Sequence, residues 1–242
     1  MSNAFELLMG ADRTLRGSVF PARKQSRGTI IVCHGYKGFK DWGFFPYLGH
    51  RLSEHYDAIT FNFTFNGVGH ELTEFTELDK FAKNTYSHEL EDLQELISAL
   101  KKGDIPELNS VNQKPLFLLG HSRGAGDSLI FAMDNPGLLA GVISWNGITN
   151  VDLYTDQEKQ DMRSLGRAYV LNGRTRQQMP LDLILLQDLE INQERFDILE
   201  RAKGYELITP CVLIQGENDG AHLRRGSAEL VKNCPYIKWH IV

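Results

Sequence analysis

Short apolar, β-branched runs alternate along this chain with stretches whose apolar residues recur every three or four positions. The run at 28–33, Gly-Thr-Ile-Ile-Val-Cys, is continuous rather than alternating, which predicts a strand buried on both faces. A helix is predicted over 41–56 with Asp41 as its N-cap, followed by a strand over 58–63. The clearest helix is 88–102. There Leu90, Leu93, Ile97 and Leu100 share a face, and Glu89, Glu91, Asp92, Glu95 and Lys101 read as lying largely off it. Strands at 115–119 and 141–145 bracket a helix that runs to about 135. A strand at 210–215, a helix at 221–233 and a strand at 237–242 close the series. Alternation of this kind predicts an α/β fold, a mostly parallel sheet flanked by helices on both faces.

The alternation fails between about 148 and 207, a stretch too long for a simple connection in a compact domain. It is expected to carry structure of its own: a helix over 156–165, a hairpin, and further helix over 180–203 after Pro180. The hairpin is expected to pair 168–171 with 174–176 through Asn172-Gly173, because Asn-Gly accepts the positive φ angles of a type I′ turn. The resulting organisation is a core of 1–147 and 208–242 with an inserted cap at 148–207.

Composition narrows the class. A length of 242 residues, 42% hydrophobic and 24% charged, suits one large globular domain with an insertion. A net charge of -5 argues against a nucleic-acid partner, and Arg163, Arg167, Arg174 and Arg176 read as a solvated face with acids between them. Cys33, Cys211 and Cys234 lack metal-ligand spacing, and the first two sit in apolar runs, so buried free thiols are expected. With no signal-peptide pattern and no membrane-length apolar run, a cytoplasmic protein with no membrane partner is expected. The oligomeric state stays open, a homodimer among the options.

Gly120-His121-Ser122-Arg123-Gly124 lies where the apolar run 116–119 meets a small-residue, helix-starting segment. A serine on so tight a strand-to-helix turn crowds its neighbours two residues away, and glycines relieve that crowding. The hydroxyl is then lifted clear, and the following helix aims its first N–H groups at developing negative charge. His34-Gly35-Tyr36-Lys37-Gly38 follows the strand at 29–33, and Gly216-Glu217-Asn218-Asp219 follows the strand at 210–215. Asp219 and Glu217 are the carboxylates of this Gly-rich turn, a setting from which a carboxylate can orient an imidazole.

These three motifs, in this order and across nearly the whole chain apart from the cap, resemble the α/β-hydrolase family. The resemblance implies Ser122 as nucleophile, the backbone N–H groups of Tyr36 and Arg123 as the oxyanion hole, and Asp219 as the acid, its spacing favoured over that of Glu217. His34 would support the oxyanion turn, and His121 would be a packing residue. Asn66-Gly67-Val68-Gly69-His70 departs from the family's G-x-G-x-S, with His70 in place of the serine. The family's base is a histidine after the last strand. Here only His240 follows His222, and it lies within the predicted last strand, so the catalytic histidine is expected beyond the C-terminus of this chain.

The cap resembles that of dienelactone-hydrolase-like and cinnamoyl-esterase-type serine esterases. The implied activity is hydrolysis of a small-molecule carboxylic ester through a Ser122-acyl intermediate, with no cofactor and no metal. Peptidase, thioesterase and amidase chemistry use the same parts, and a non-catalytic ligand-binding homologue is the rival from another class. Met162, Leu165, Tyr169, Met179, Leu183 and Leu186 are candidates either to line the pocket or to pack on the main domain. Arg174 is a candidate contact for an anionic substrate.

Overall fold

Thr29 to Cys33 are buried without exception, as a β-branched run flanked by strands and covered on both faces must be. The computed structural model describes residues 2–242 apart from Ala11, Leu72, 109–113 and Tyr205. Two strands open the chain, β1 (Asn3–Leu8) and β2 (Thr14–Phe20), followed by β3 (Thr29–Cys33), α1 (Phe45–Leu52) and β4 (Asp57–Asn62). The short α2 (Leu78–Phe81) and long α3 (Tyr86–Lys102) precede β5 (Leu116–His121), α4 (Arg123–Asp134) and β6 (Gly141–Trp145). Then come α5 (Asp156–Leu165), the strands β7 (Arg167–Leu171) and β8 (Gln178–Asp182), and the helices α6 (Ile184–Ile191), α7 (Gln193–Phe196) and α8 (Ile198–Lys203). The last described elements are β9 (Cys211–Gln215), α9 (Ala221–Asn233) and β10 (Lys238–Ile241).

The main sheet has eight strands in the order β1-β2-β4-β3-β5-β6-β9-β10. All neighbours from β4 to β10 pair in parallel, and β2 pairs antiparallel with both β1 and β4. Register brings the exits of four strands together: Cys33 lies beside Gly120, Gly120 beside Ser144, and Trp145 beside Ile214. The turns after β3, β5, β6 and β9 therefore share one edge, where ligands of open parallel sheets bind.

Helix α3 shows how sequence fixes an element. Thr85 caps it by accepting from the His88 N–H, and Gly103 ends it at φ 82. Its buried face holds Leu90, Leu93, Leu96, Ile97 and Leu100, each worth about 1.5–3 kcal/mol when fully buried. Glu89 and Asp92 are buried as well, contrary to the expectation that they lie off the apolar face. The positions 89, 93, 96 and 100 fall on one stripe, and both acids are buried because each meets a partner from another element. Asp92 accepts from Arg13, at 2.6 Å, and from the Thr64 N–H and hydroxyl; burial nonetheless pushes its pKa up to about 6.

Three other expectations change. The helix predicted over 41–56 starts only at Phe45, because 39–44 form successive turns with Gly43 at φ 60, and Asp41 pairs with Lys40 instead of capping. The hairpin at 167–182 exists, but its connection is 172–177 rather than a two-residue turn. Neither Asn172 nor Gly173 has positive φ. The Asn172 side chain accepts from the Arg174 and Thr175 N–H groups, and Arg176 takes φ 60. The helix expected over 180–203 begins instead as β8, with Pro180 opposite Tyr169, and then breaks at Asn192 and Asp197 into α6, α7 and α8.

Two large apolar clusters result. The main one fills the space between sheet and helices, and Phe196, Ile198, Ala202 and Leu207 belong to it. A second joins Tyr154, Met162, Ala168, Met179, Leu181, Leu185 and Leu186 to Phe39, from the segment after β3, and to Val68, Phe75 and Phe81, between β4 and the end of α2. Met162 and Met179 are fully enclosed there, whereas Leu165 and Tyr169 face outward. Cys33, Cys211 and Cys234 are buried free thiols. Among the described residues no helix is long and apolar enough to cross a membrane.

Candidate active site

Ser122 stands between β5 and α4 with φ 56 and ψ −118. A serine held there costs about 1–3 kcal/mol, and the surrounding bonds hold it in place. Its N–H donates to the Trp145 carbonyl at 3.1 Å, and its carbonyl accepts from Ala125, Gly126 and Ile148. Close approach explains the flanking glycines: a Cβ on Gly124 would lie 2.5 Å from the carbonyl oxygens of both Cys33 and His34. A Cβ on Gly35 would lie 3.0 Å from that of Ser122, so the turn after β3 packs directly on the serine.

Tyr36 follows Gly35 and Arg123 follows Ser122, so both residues flank this contact. Among the described residues, the N–H groups of Tyr36 and Arg123 donate to no protein acceptor, and the second opens α4 at the positive end of its dipole. His34 braces the turn from below. Its Nδ1 lies 3.0 Å from the Gly35 carbonyl, and its Nε2 accepts from the Phe63 N–H at 3.4 Å and faces Asn66 Nδ2 at 3.3 Å. Asn66 Nδ2 also donates to the Gly38 carbonyl at 3.3 Å. Burial, with help from the Arg123 and His121 charges, lowers the His34 pKa to about 4 against the Gly35 bond, so the ring is neutral.

Asp219 lies half-buried in the turn after β9. Its Oδ2 accepts from Gln215 Nε2 at 2.6 Å and its Oδ1 from the Gly220 N–H at 2.9 Å. Gln215 is itself held by the Ser227 hydroxyl at 2.7 Å, and Asn146, at φ 45, accepts from the Gly216 N–H at 2.9 Å. Glu217 is exposed, its N–H bonded to the Val242 carbonyl.

Among the described residues no histidine is hydrogen-bonded to Ser122 or Asp219. His121 packs edge-on against Phe44, Phe45 and Trp145, and burial lowers its pKa against the pull of Asp219. His222 is exposed on α9, His240 is exposed on the edge strand β10 opposite Ile214, and His70 is exposed beyond β4. Arg174 lies with its guanidinium 3.7 Å from the centre of the Trp42 ring and donates to the Lys37 carbonyl, while Lys37 Nζ donates to the Leu171 carbonyl at 3.3 Å. Of the other arginines of that stretch, Arg163 pairs with Glu190, and Arg167 with Asp182 and Asp79. No group of His, Cys, Asp and Glu among the described residues is arranged to hold a metal ion.

Behind the serine lies a polar cluster that the periodicity of 88–102 did not reveal. The Arg123 side chain, 2% exposed, donates to Glu89 Oε2 at 2.6 Å and to the Asn84 carbonyl at 2.9 Å. Its guanidinium lies over the rings of Tyr86 and Tyr36 at 3.9 and 5.7 Å. Burial works against this charge, but Glu89 and the other groups around it outweigh the penalty and raise the pKa well above the usual guanidinium value. Asp127 is fully buried beside Glu89, with neither carboxyl oxygen bonded.

No family model matches the sequence, and no curated protein matches it. Solved structures do. Est1E from Butyrivibrio proteoclasticus is 13% identical with a TM-score of 0.68, covering 99% of this chain and 88% of its own. A soluble variant of monoglyceride lipase from Saccharomyces cerevisiae is 15% identical with a TM-score of 0.69, covering 100% and 86%. Dienelactone hydrolase from Anabaena variabilis is 13% identical with a TM-score of 0.60, covering 100% and 85%. The chain therefore has the α/β-hydrolase fold. Esterases and lipases are among the proteins that share it.

Proposed function

We propose that the protein is a serine hydrolase of small carboxylic esters. The observation that carries this reading is Ser122, held at positive φ on the head of α4 beside two uncommitted backbone donors. Ser122 Oγ attacks the ester carbonyl carbon and gives its proton to a base. The oxyanion accepts from the N–H groups of Tyr36 and Arg123. Collapse expels the alcohol, which takes the proton, and water releases the acid by the same route. Asp219, gripped by Gln215 and Gly220, orients the base and stabilises its charged form. The chemistry needs no metal and no organic cofactor.

The base in this reading is an imidazole. His34 is committed to the turn after β3, His121 is packed in an aromatic cage, and His222 and His240 are exposed. None of these four is hydrogen-bonded to Ser122 or Asp219, so none of them is assigned as the base. The test is p-nitrophenyl acetate hydrolysis with and without added imidazole, and by the chain extended through its native downstream reading frame. Turnover gained from imidazole or from the extension, and lost with Ser122→Ala, is the expected result. Turnover that survives Ser122→Ala overturns the reading. Turnover without either addition that is lost in His121→Ala or His222→Ala moves the base inside the chain. A protein that only binds its ligand, favoured by the histidine positions alone, would show no Ser122-dependent turnover under any of these conditions.

A further inference from the structure

The cluster under the elbow contains one guanidinium and two carboxyl groups, all buried. Both oxygens of Glu89 are engaged, Oε2 accepting from Arg123 and Oε1 from Asn84 Nδ2 at 2.7 Å, each with room for a further donor. Asp127, one turn along α4 from Arg123, is fully buried with neither oxygen bonded, on the helix whose Arg123 holds Glu89. A bare carboxylate there would be an unpaired buried charge beside another of the same sign, which is the costliest state open to it. A protonated Asp127 resolves both difficulties, because its O–H gives Glu89 a third donor and leaves one negative charge for one positive charge.

The position of this cluster gives it a role beyond folding. Arg123 supplies one proposed oxyanion donor through its backbone, and its side chain anchors that residue to α3 through Glu89 and to the 82–85 turn through Asn84. The Tyr36 ring, whose backbone supplies the other donor, lies over the same guanidinium and stacks on Phe81. Tyr154, from the stretch after β6, is buried close enough to Arg123 to feel its charge. Both donors thus share a single mechanical anchor.

We propose that Glu89 and Asp127 share one proton and act as a positioning pair, holding through Arg123 the two backbone donors that receive the oxyanion. The proposal rests on the reading of Ser122 as nucleophile and of Tyr36 and Arg123 as donors. It makes a distinctive demand: either acid alone can neutralise Arg123, so removing one is mild and removing both is severe. The groups facing the pair are Arg123 from α4, Tyr86 from α3, Cys33 from β3, Tyr36 and Tyr154. Of these only Arg123 is charged near neutrality.

The experiment uses Glu89→Gln, Asp127→Asn and the double variant in the catalytically competent form of the protein. The infrared carbonyl band of a protonated carboxylic acid is expected in the wild type at pH 7 and lost in each single variant, since Asp127 ionises once Glu89 is gone. In urea unfolding, the double variant should lose far more than the sum of the singles. Oxyanion donors act on the transition state, so kcat should fall by no more than about 10-fold in either single variant and at least about 100-fold in the double variant, with KM nearly unmoved. If the double variant does not fold, adding Arg123→Met removes the stranded cation and should restore the fold while kcat stays low. A band that persists in Asp127→Asn, or additive unfolding losses, overturns the shared proton. Wild-type kcat in the triple variant overturns the positioning role. Turnover that survives Ser122→Ala would bring down the functional reading and the positioning role together, and the band and the unfolding cycle would still decide the shared proton.

Discussion

His34 makes the stability of this protein sensitive to mild acid, and the size of the effect follows from its surroundings. The ring is buried, its Nδ1 faces the Gly35 carbonyl, and its Nε2 accepts from Phe63. A proton on Nε2 would meet donors rather than acceptors, beside the Arg123 charge. The folded-state pKa of about 4 lies below the ordinary value of 6.5. Between those pH values the unfolded chain binds a proton that the folded chain refuses. Stability therefore rises with pH across this window and is lost on acidification from 6.5 toward 4. The linkage relation gives a loss of about 2 kcal/mol by pH 5 and about 3 kcal/mol by pH 4. Urea unfolding of the wild type and of His34→Gln, whose amide reaches the Nε2 position but does not titrate, measures the effect. The wild-type advantage should shrink by those amounts, because carboxylates elsewhere cancel in the difference. Parallel pH profiles for the two proteins would refute the argument.

Three further outcomes are expected. Gly124→Ala brings a Cβ against two backbone carbonyls that cannot move independently of β3, and should cost about 1–3 kcal/mol in urea unfolding; a neutral substitution would mean that the elbow is looser than described. Arg174→Ala removes the Trp42 and Lys37 contacts, so amide exchange at 172–177 should quicken while global stability changes by less than about 1 kcal/mol; unchanged exchange would deny the clamp. The native thiols should resist a disulfide reagent at pH 8 and react fully in denaturant, since all are buried and burial pushes Cys211 up to about 12; rapid labelling of the folded protein would contradict this.

The sequence disclosed most where burial leaves an unmixed pattern. β3 lies within the sheet between other strands and reads as a continuous apolar run, and β4 and β6, also interior, are dominated by apolar residues. The strand-to-helix position of Ser122 was legible for the same reason, since β5 and α4 flank it with opposite periodicities. β1 and β2 were not anticipated, because β2 buries Arg16 and Ser18, and Arg16 pairs with Glu6 across the hairpin. A buried charge looks like a surface charge until its partner is known. Glu89 and Asp127 likewise read as surface acids, since only the packing of α3 against α4 brings them to a common cation. The braces of the acid turn, Gln215 and Asn146, carry no motif at all. The Asn172-Gly173 turn failed because the Asn172 side chain, rather than positive φ, closes it.

The second apolar cluster has a consequence for the order of folding. Its pieces come from 39, 68–81 and 154–186, so closing it means bringing together distant parts of the chain. Such closure is entropically costly before the sheet exists, and comparatively easy once β3, β4 and β6 have fixed where those segments begin. The cluster is therefore expected to condense last and to open first, as a cooperative unit below global unfolding. Tyr154 belongs to it and lies near enough to Arg123 to feel its charge, so each opening would let water toward the buried ion pair behind Ser122. The readiness of the site would then track how long this late-forming region stays shut.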